Sequence, residues 1–192
     1  MKKYKELKYI VIAVLMVICS VGFIIYYFSL SPKRTLEKQV MKMTGINVDL
    51  SFEKAKIFFN GVDSSYTSMP KKKFVVFVDS TSCSGCTISH LIDYYEINDT
   101  LRAKGAEMLV VLNPERGQID EVFSRLNHEK FPFWYIVDVE GEFDRNNPWI
   151  PDNKILHVFT TDEQDKIILV GNPIQNNRIK ELLFKTLQQH YP

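Results

Sequence analysis

The sequence is poor in cysteine and carries no excess of basic charge. Only three cysteines occur among 192 residues, which excludes the small secreted domains that several disulfide bonds hold together. The formal net charge is +1, so the basic surface of a nucleic-acid-binding protein is absent, and we predict no nucleic-acid partner. Apolar residues make up 45% of the chain and charged residues 24%, a composition typical of a folded protein.

One long segment lacks charge altogether. Residues 9–30 are consecutive and contain no acidic or basic side chain. At about 1.5 Å per residue, a helix of this length covers the roughly 30 Å hydrocarbon core of a bilayer. Tyr26 and Tyr27 fit the aromatic belt at a membrane interface. The sequence therefore predicts a transmembrane helix over 9–30, preceded by a short cytoplasmic tail over 1–8.

Two other interpretations of this segment stay open, a cleaved secretory signal and a lipoprotein signal. A cleaved signal has a shorter apolar region and a small-residue cleavage site, and no A-x-A triplet precedes Ser31. A lipoprotein signal requires a small residue before the acylated cysteine, whereas Ile18 precedes Cys19. We therefore expect Cys19 to be a structural residue inside the membrane.

Basic residues flank the segment on both sides, so their distribution decides little about orientation. A short tail before a single first helix favours an inside tail and an outside domain, as does the cysteine chemistry described below. We expect a signal-anchored, single-pass protein of the cytoplasmic (inner) membrane, with its C-terminal domain outside the cytoplasm, in the periplasm.

The rest of the chain alternates between strand and helix patterns. Residues 31–69 predict a juxtamembrane helix over 35–44, ended by Gly45, then one or two edge strands over 46–59, and a loop begins at Gly61. Residues 70–192 predict an α/β domain with the order β-α-β-α-β-β-β-α. Its strands are expected over 74–78, 108–112, 133–137, 155–160 and 166–170, and an irregular stretch over 143–153.

The sharpest motif is Cys83-Ser84-Gly85-Cys86, directly after a predicted buried strand and at the start of a helix. At a helix start, free backbone N–H groups favour a thiolate over a thiol. The second cysteine lies one turn later, near enough to attack a mixed disulfide and release the partner. This context is typical of a redox-active CxxC pair, and Cys83 and Cys86 are the candidate catalytic residues.

The pair has three alternative uses. A zinc site usually has four ligands and no second CxxC pair exists, although His90 could join the cysteines in a metal site. Haem attachment needs a histidine directly after the second cysteine, where Thr87 stands. A permanent structural disulfide is the third alternative. We predict no cofactor and favour redox exchange.

In this order of elements the chain resembles the thioredoxin-like family, and with its anchor it resembles the membrane-anchored bacterial TlpA/ResA-type proteins. The resemblance covers roughly residues 70–188 and rests on the segments FVVFVDSTSCSGC, FPFWYIVDVEGEF and HVFTTDEQDKIILVGNP. It implies a central mixed sheet flanked by helices, with Cys83 as the attacking and Cys86 as the resolving cysteine. It also implies a thiol–disulfide oxidoreductase whose partners are protein thiols and disulfides outside the cytoplasm.

The sequence departs from the family pattern at three places. Ser82 stands where an aromatic residue usually precedes the first cysteine, and Phe77 stands where an acidic or polar residue is usual. Asp79 is the nearest acid, and we expect it to cap the following loop. The family's cis-proline before the hairpin strand is missing, because Leu156 stands there and Pro151 lies five residues too early. These departures keep open a non-catalytic module that binds metal or protein through Cys83, Cys86 and His90.

The remaining candidates are weaker. Three aromatic residues are expected in the core, with a partner groove as the alternative: Trp134, Tyr135 and Trp149. His128 and His157 are expected to be structural or solvent-facing. The lysines at 71–73 end a loop, with support of a nearby thiolate as the alternative.

Overall fold

The computed structural model describes residues 2–29, 31–65 and 69–189 and divides into two units, residues 1–41 and 42–192. The first unit contains α1 (Lys2–Ser29) and most of α2 (Pro32–Met43). The second helix confirms the helix predicted over 35–44, and Gly45 after it has a φ of +88°, which favours glycine. Leu30 of the predicted span and positions 66–68 of the predicted loop lie outside the described residues.

The N-terminal helices can be compared with the predicted transmembrane span. Within the described ranges, no single helix is both long enough and apolar enough to cross a bilayer. The segments 14–27 and 32–43 are long enough and apolar enough only when they are taken together, and a bend separates them. The transmembrane helix over 9–30 stays a prediction.

Strands of the second unit form one mixed sheet. In the described part of the chain its seven members are β1 (Lys56–Phe59), β2 (Val62–Asp63), β3 (Lys73–Val78), β4 (Glu107–Leu112), β5 (Trp134–Val137), β6 (Val158–Thr161) and β7 (Ile167–Val170). Their order across the sheet is β2-β1-β5-β4-β3-β6-β7. The three central strands β3, β4 and β5 are parallel, and the outer strands pair antiparallel to their neighbours.

Helices cover both faces of this sheet. They are α3 (Ser84–His90), α4 (Tyr95–Arg102), α5 (Ile119–Glu129), α6 (Glu142–Asn146) and α7 (Asn177–Gln189). The crossovers from β3 to β4 and from β4 to β5 step in the same direction, so right-handed connections place α3, α4 and α5 on one face. This arrangement brings α5 beside the start of α3, where the two cysteines lie.

The core follows the alternation of the central strands. Phe74, Val76 and Val78 of β3 belong to the hydrophobic cluster that also includes Ile88 of α3. The intervening β3 residues point to the other face, where the Phe77 ring lies 4.7 Å from the Phe143 ring of α6, centroid to centroid. Because β3 is buried on both faces, packing fixes the position of its C-terminal end, from which the loop leads into α3.

Several local predictions were wrong. β1 lies inside the sheet rather than at its edge, because β2 forms within the predicted loop and pairs outside it. The irregular stretch 143–153 includes most of α6, and residues 154–156 form a 3₁₀ turn before β6. The extended segment 46–50 is not a regular strand, and its one ladder contact is a bridge from Asn47 to Lys166.

Two buried polar side chains fix the backbone at the start of α6 and in the 46–50 segment. The Asp138 carboxylate accepts hydrogen bonds from Glu142 N at 2.9 Å and from Phe143 N at 2.8 Å, so it closes the start of α6. Gly141, the residue before α6, has no side chain for that purpose. The Asn147 amide accepts from Asp49 N and donates to Asp49 O, both at 2.8 Å, and so holds the 46–50 segment.

We expect Asp138→Ala to lower the free energy of unfolding by about 2–3 kcal/mol, because two buried N–H groups would lose their charged acceptor. Urea unfolding of the full chain measures this change. Asp144→Ala, which removes an exposed carboxylate from the same helix, is the matched control, and we expect it to change the free energy by less than about 0.5 kcal/mol. Equal effects of the two substitutions would contradict the assignment of Asp138 as the acceptor that closes α6.

Candidate functional site

Cys83 lies at the junction of β3 and α3, and it is the N-cap residue of that helix. Its sulfur accepts a hydrogen bond from Cys86 N at 3.2 Å. Its carbonyl accepts from Thr87 N at 3.0 Å, which begins the helical hydrogen bonding. The predicted position of the first cysteine at a helix start is confirmed. An N–H group directed at the sulfur stabilises a negative charge there more than a neutral thiol.

The two cysteines form a disulfide across the first turn of α3. Their Cα atoms are 5.3 Å apart, within the usual range for a disulfide bond. Both cysteines are exposed, whereas Ser84 and Gly85 between them are buried. The backbone N–H of Ser84 donates to the side-chain carbonyl of Gln118, which follows β4, at 3.3 Å. The cysteine pair is therefore accessible, while this hydrogen bond anchors the turn that carries it.

The loop over 79–82 is organised by Asp79. Its Oδ1 accepts from Thr81 N at 3.0 Å, from the Thr81 hydroxyl at 2.8 Å and from the Ser82 hydroxyl at 2.8 Å. Burial alone would raise the pKa of this carboxyl. The hydrogen bonds from Ser82 and Thr81 and the positive charges of Lys154 and His157 outweigh burial, so the pKa of Asp79 lies below its ordinary value of 3.8. The expectation that Asp79 caps the loop is confirmed.

His157 is a site residue that sequence analysis did not identify as one. It is buried, its Nε2 lies 2.8 Å from the Pro151 carbonyl, and its Nδ1 lies 3.7 Å from Asp79. Its ring also packs on Phe77, with the centroids 5.0 Å apart. The prediction that His157 is structural or solvent-facing holds for the structural role only. The sequence pattern around His157 did not predict these contacts, because its partners are Asp79 and Pro151 rather than its immediate neighbours.

Two cavities adjoin the disulfide from different sides. The larger, about 480 Å³, is lined by Cys86, by helix residues after it and by residues near the start of β6, among them Thr87, His90, Lys154 and His157. The smaller, about 250 Å³, is lined by Cys83, Gly85 and Cys86 and by Gln118, Glu121 and Arg125 on the side of α5. Cys86 lines both cavities, so neither face of the pair is sealed.

The structure does not support the metal alternative. His90 is 78% exposed and its Nδ1 lies 3.5 Å from Asp93. In the parts of the chain that the structure describes, no group of three or more His, Cys, Asp or Glu side chains is arranged to hold a metal ion. His90 is therefore not brought together with Cys83 and Cys86 as a ligand set.

Other predicted residues lie elsewhere. Lys72 and Lys73 pair with Glu163 at 3.4 Å and with Asp165 at 2.6 Å, at the start of β3, whereas the cysteines follow its end. Support of a thiolate by these lysines was therefore a wrong alternative. Leu156, at the place of the missing proline, is buried within the 3₁₀ turn.

Trp134 and Tyr135 are buried in β5, as predicted for core residues. Trp149, for which the same was predicted, is only partly buried. Burial of Tyr135 raises its pKa to about 12.

Comparison with known proteins identifies the fold. No family model matches the chain, and no curated protein matches it. Among solved structures, the thiol:disulfide interchange protein DsbE from Chlorobium tepidum is 15% identical with a TM-score of 0.51, over 75% of this chain and 99% of that one. A mutant of PrxQ from Xylella fastidiosa is 11% identical with a TM-score of 0.51, over 77% and 96%. An oxidised thioredoxin-like protein is 14% identical with a TM-score of 0.50, over 77% and 98%. These similarities show a thioredoxin-like fold, as predicted.

Asp79 generates a prediction about pH. Because its folded-state pKa is lowered, the ionised carboxylate stabilises the folded chain at pH values above the unfolded pKa of about 3.9, and this stabilisation is lost as the pH falls through the folded pKa. We expect Asp79→Asn to be less stable than the parent at pH 7, and the difference to shrink below about pH 4. Urea unfolding of both chains at a series of pH values measures this.

Asp99→Asn, which removes an exposed carboxylate from α4, controls for the loss of one negative charge. A stability difference for Asp79→Asn that stays constant from pH 7 to pH 2 would contradict the role given to its hydrogen bonds.

Proposed function

We propose that this chain is a thiol–disulfide exchange protein that uses Cys83 and Cys86 as its redox pair. The observation that carries the proposal is the position of the Cys83 sulfur. It lies exposed at the N-cap of α3, accepts the Cys86 N–H at 3.2 Å, and is within bonding distance of the second sulfur. A purely structural disulfide has no need of exposure for both cysteines.

The exchange step follows from this geometry. With the pair reduced, the Cys83 thiolate attacks one sulfur of a partner disulfide, forms a mixed disulfide and expels the other partner sulfur as a thiolate. The Cys86 thiolate then attacks Cys83, re-forms the intramolecular disulfide and releases the second partner sulfur as a thiolate. The partner gains two electrons and this chain loses two. In the oxidising direction the same steps run in reverse.

The environment of the pair suits this sequence of steps. The N–H group that points at Cys83 stabilises the attacking thiolate and also the same sulfur when it leaves. The short helical turn keeps Cys86 close to Cys83, with the Cα atoms 5.3 Å apart, so the second attack is intramolecular and fast relative to release into solution. The reaction needs no organic cofactor, and the electrons come from a dithiol partner or go to one.

We also propose that the N-terminal region tethers this domain to the cytoplasmic membrane, with the domain outside the cytoplasm. The uncharged run over 9–30 supports the tether by its length and composition. The redox chemistry supports the location, because protein disulfides persist in oxidising compartments. The partners would then be extracytoplasmic proteins that carry thiols or disulfides.

We expect Cys86→Ala to accumulate a mixed disulfide with a protein substrate, because the second attack is lost while Cys83 remains activated. Cys83→Ala is expected to trap at least about tenfold less at the same time point, because the sulfur that accepts the N–H hydrogen bond is gone. Non-reducing gels of the reduced variants after incubation with scrambled ribonuclease measure the adduct. Both variants also carry Cys19→Ser, so that the cysteine outside the CxxC pair cannot form an adduct.

Equal trapping by the two variants would show that Cys83 is not the preferred attacking residue. Absence of an adduct with both, together with no reduction of scrambled ribonuclease by the parent chain, would overturn the proposed function.

For the tether, we expect the full chain to stay in the membrane pellet after an alkaline carbonate wash, because a helix that spans the bilayer is held by its buried apolar surface. Deletion of residues 1–30 should move the domain into the soluble fraction. A full chain that the wash releases would exclude an integral membrane tether and leave the redox proposal intact.

A further inference from the structure

The smaller cavity at the disulfide contains an ion pair that the exchange chemistry described above does not use. Glu121 and Arg125 lie one turn apart on α5, with Arg125 Nε 2.9 Å from Glu121 Oε1. The same guanidinium donates through Nη1 to the Ser89 hydroxyl of α3 at 3.2 Å. Both charged side chains and both cysteines line this cavity of about 250 Å³. The pair therefore lies beside the sulfurs rather than on an unrelated surface.

Gly85 makes this approach possible. A Cβ atom added at Gly85 would lie 2.9 Å from Glu121 Oε1 and 3.4 Å from Arg125 Nε. Any larger residue at position 85 would push the ion pair away from the turn. The glycine of the CxxC motif is therefore matched to Glu121 and Arg125 on the neighbouring helix.

The ion pair leaves part of its hydrogen-bonding capacity unused. Among the described residues, Oε2 of Glu121 and Nη2 of Arg125 have no hydrogen-bond partner. Both side chains are about half exposed, at 54% and 45%. The cavity thus offers one acceptor for a cation and one donor for an anion, next to each other, without breaking the existing pair.

We infer that this cavity binds a free, zwitterionic amino thiol of the cysteine type, with its carboxylate at Arg125, its ammonium at Glu121 and its sulfur at the Cys83–Cys86 disulfide. Three features of the site favour this class. The volume is below the roughly 300–1,000 Å³ of ordinary ligand pockets, the two charges are opposite in sign and adjacent, and the sulfurs are exposed at the same cavity. A cysteine inside a protein lacks both charges, because its amino and carboxyl groups are in peptide bonds.

This inference rests on the proposed function and adds a second class of partner to it. A bound thiolate attacks the Cys83 sulfur, forms a mixed disulfide and expels Cys86 as a thiolate. A second thiolate of the same class attacks the small-molecule sulfur of the mixed disulfide, so that the symmetric small disulfide leaves and Cys83 becomes a thiolate. Two electrons pass from the two small thiolates to the chain, and the Cys83 and Cys86 thiolates take up protons from water. The reverse sequence oxidises the pair with the small disulfide.

Four small thiols test the inference on the oxidised full chain carrying Cys19→Ser. L-cysteine has both charges, cysteamine has the ammonium only, N-acetyl-L-cysteine has the carboxylate only, and 2-mercaptoethanol has neither. Thiol labelling over time gives second-order rate constants for reduction of the disulfide, each divided by the thiolate fraction of the reagent. We expect L-cysteine to react about fivefold faster than 2-mercaptoethanol, since each exposed ion pair contributes about a two- to fivefold effect.

The variants assign each charge to its partner. Arg125→Gln should remove the advantage of N-acetyl-L-cysteine over 2-mercaptoethanol, and Glu121→Gln should remove that of cysteamine. Glu96→Gln and Lys180→Gln are the matched controls, because these residues form an exposed ion pair, 3.1 Å apart, on α4 and α7, and they do not line the cavity. Ratios between reagents cancel any change in the intrinsic reactivity of the disulfide.

The outcomes separate this inference from the proposed function. If 2-mercaptoethanol reduces the disulfide and L-cysteine is no faster, or if the Arg125 and Glu121 variants change all four rates alike, the amino-thiol site is overturned while thiol–disulfide exchange stands. If none of the four thiols reduces the disulfide, the accessibility on which the proposed function depends is overturned.

Discussion

The hydrogen bonds that Asp79 accepts from the loop over 79–82 are the constraint on which the site depends. A strand buried on both faces must pass into a helix within a few residues, and the loop between them is fixed by a carboxylate that accepts two hydroxyls and one backbone N–H. This places Cys83 at the N-cap of α3, where its sulfur meets the Cys86 N–H. Without a defined loop, the sulfur would have no fixed relation to that N–H group.

The same carboxylate joins this loop to a distant part of the chain. His157 and Lys154, which lie just before β6 and at the 3₁₀ turn, are 3.7 and 3.6 Å from Asp79. The residues that flank the larger cavity are thus held against the loop that carries Cys83, although more than 70 positions separate them in sequence. The contacts of Lys154 and His157 with this one carboxylate therefore join the two segments.

The disulfide is accessible from two sides. The parallel strands β3, β4 and β5 place α3 and α5 on one face of the sheet, so the smaller cavity forms between these helices. The antiparallel pairing of β6 with β3 places the larger cavity on the other side of Cys86. The sulfur pair is therefore open on two surfaces, each formed by different elements of the fold.

The sequence by itself determined the local features. A run of β-branched and aromatic residues predicted β3, the CxxC spacing after it predicted a cysteine at a helix start, and Gly45 predicted the end of α2, because each depends on neighbours within a few positions. The tertiary structure decided the pairing of His157 with Asp79 and of Arg125 with Ser89 of α3, because those contacts join residues more than 35 positions apart. It also placed β1 inside the sheet, because strand order depends on the hydrogen bonds of β2 and β5 with it rather than on its own residues.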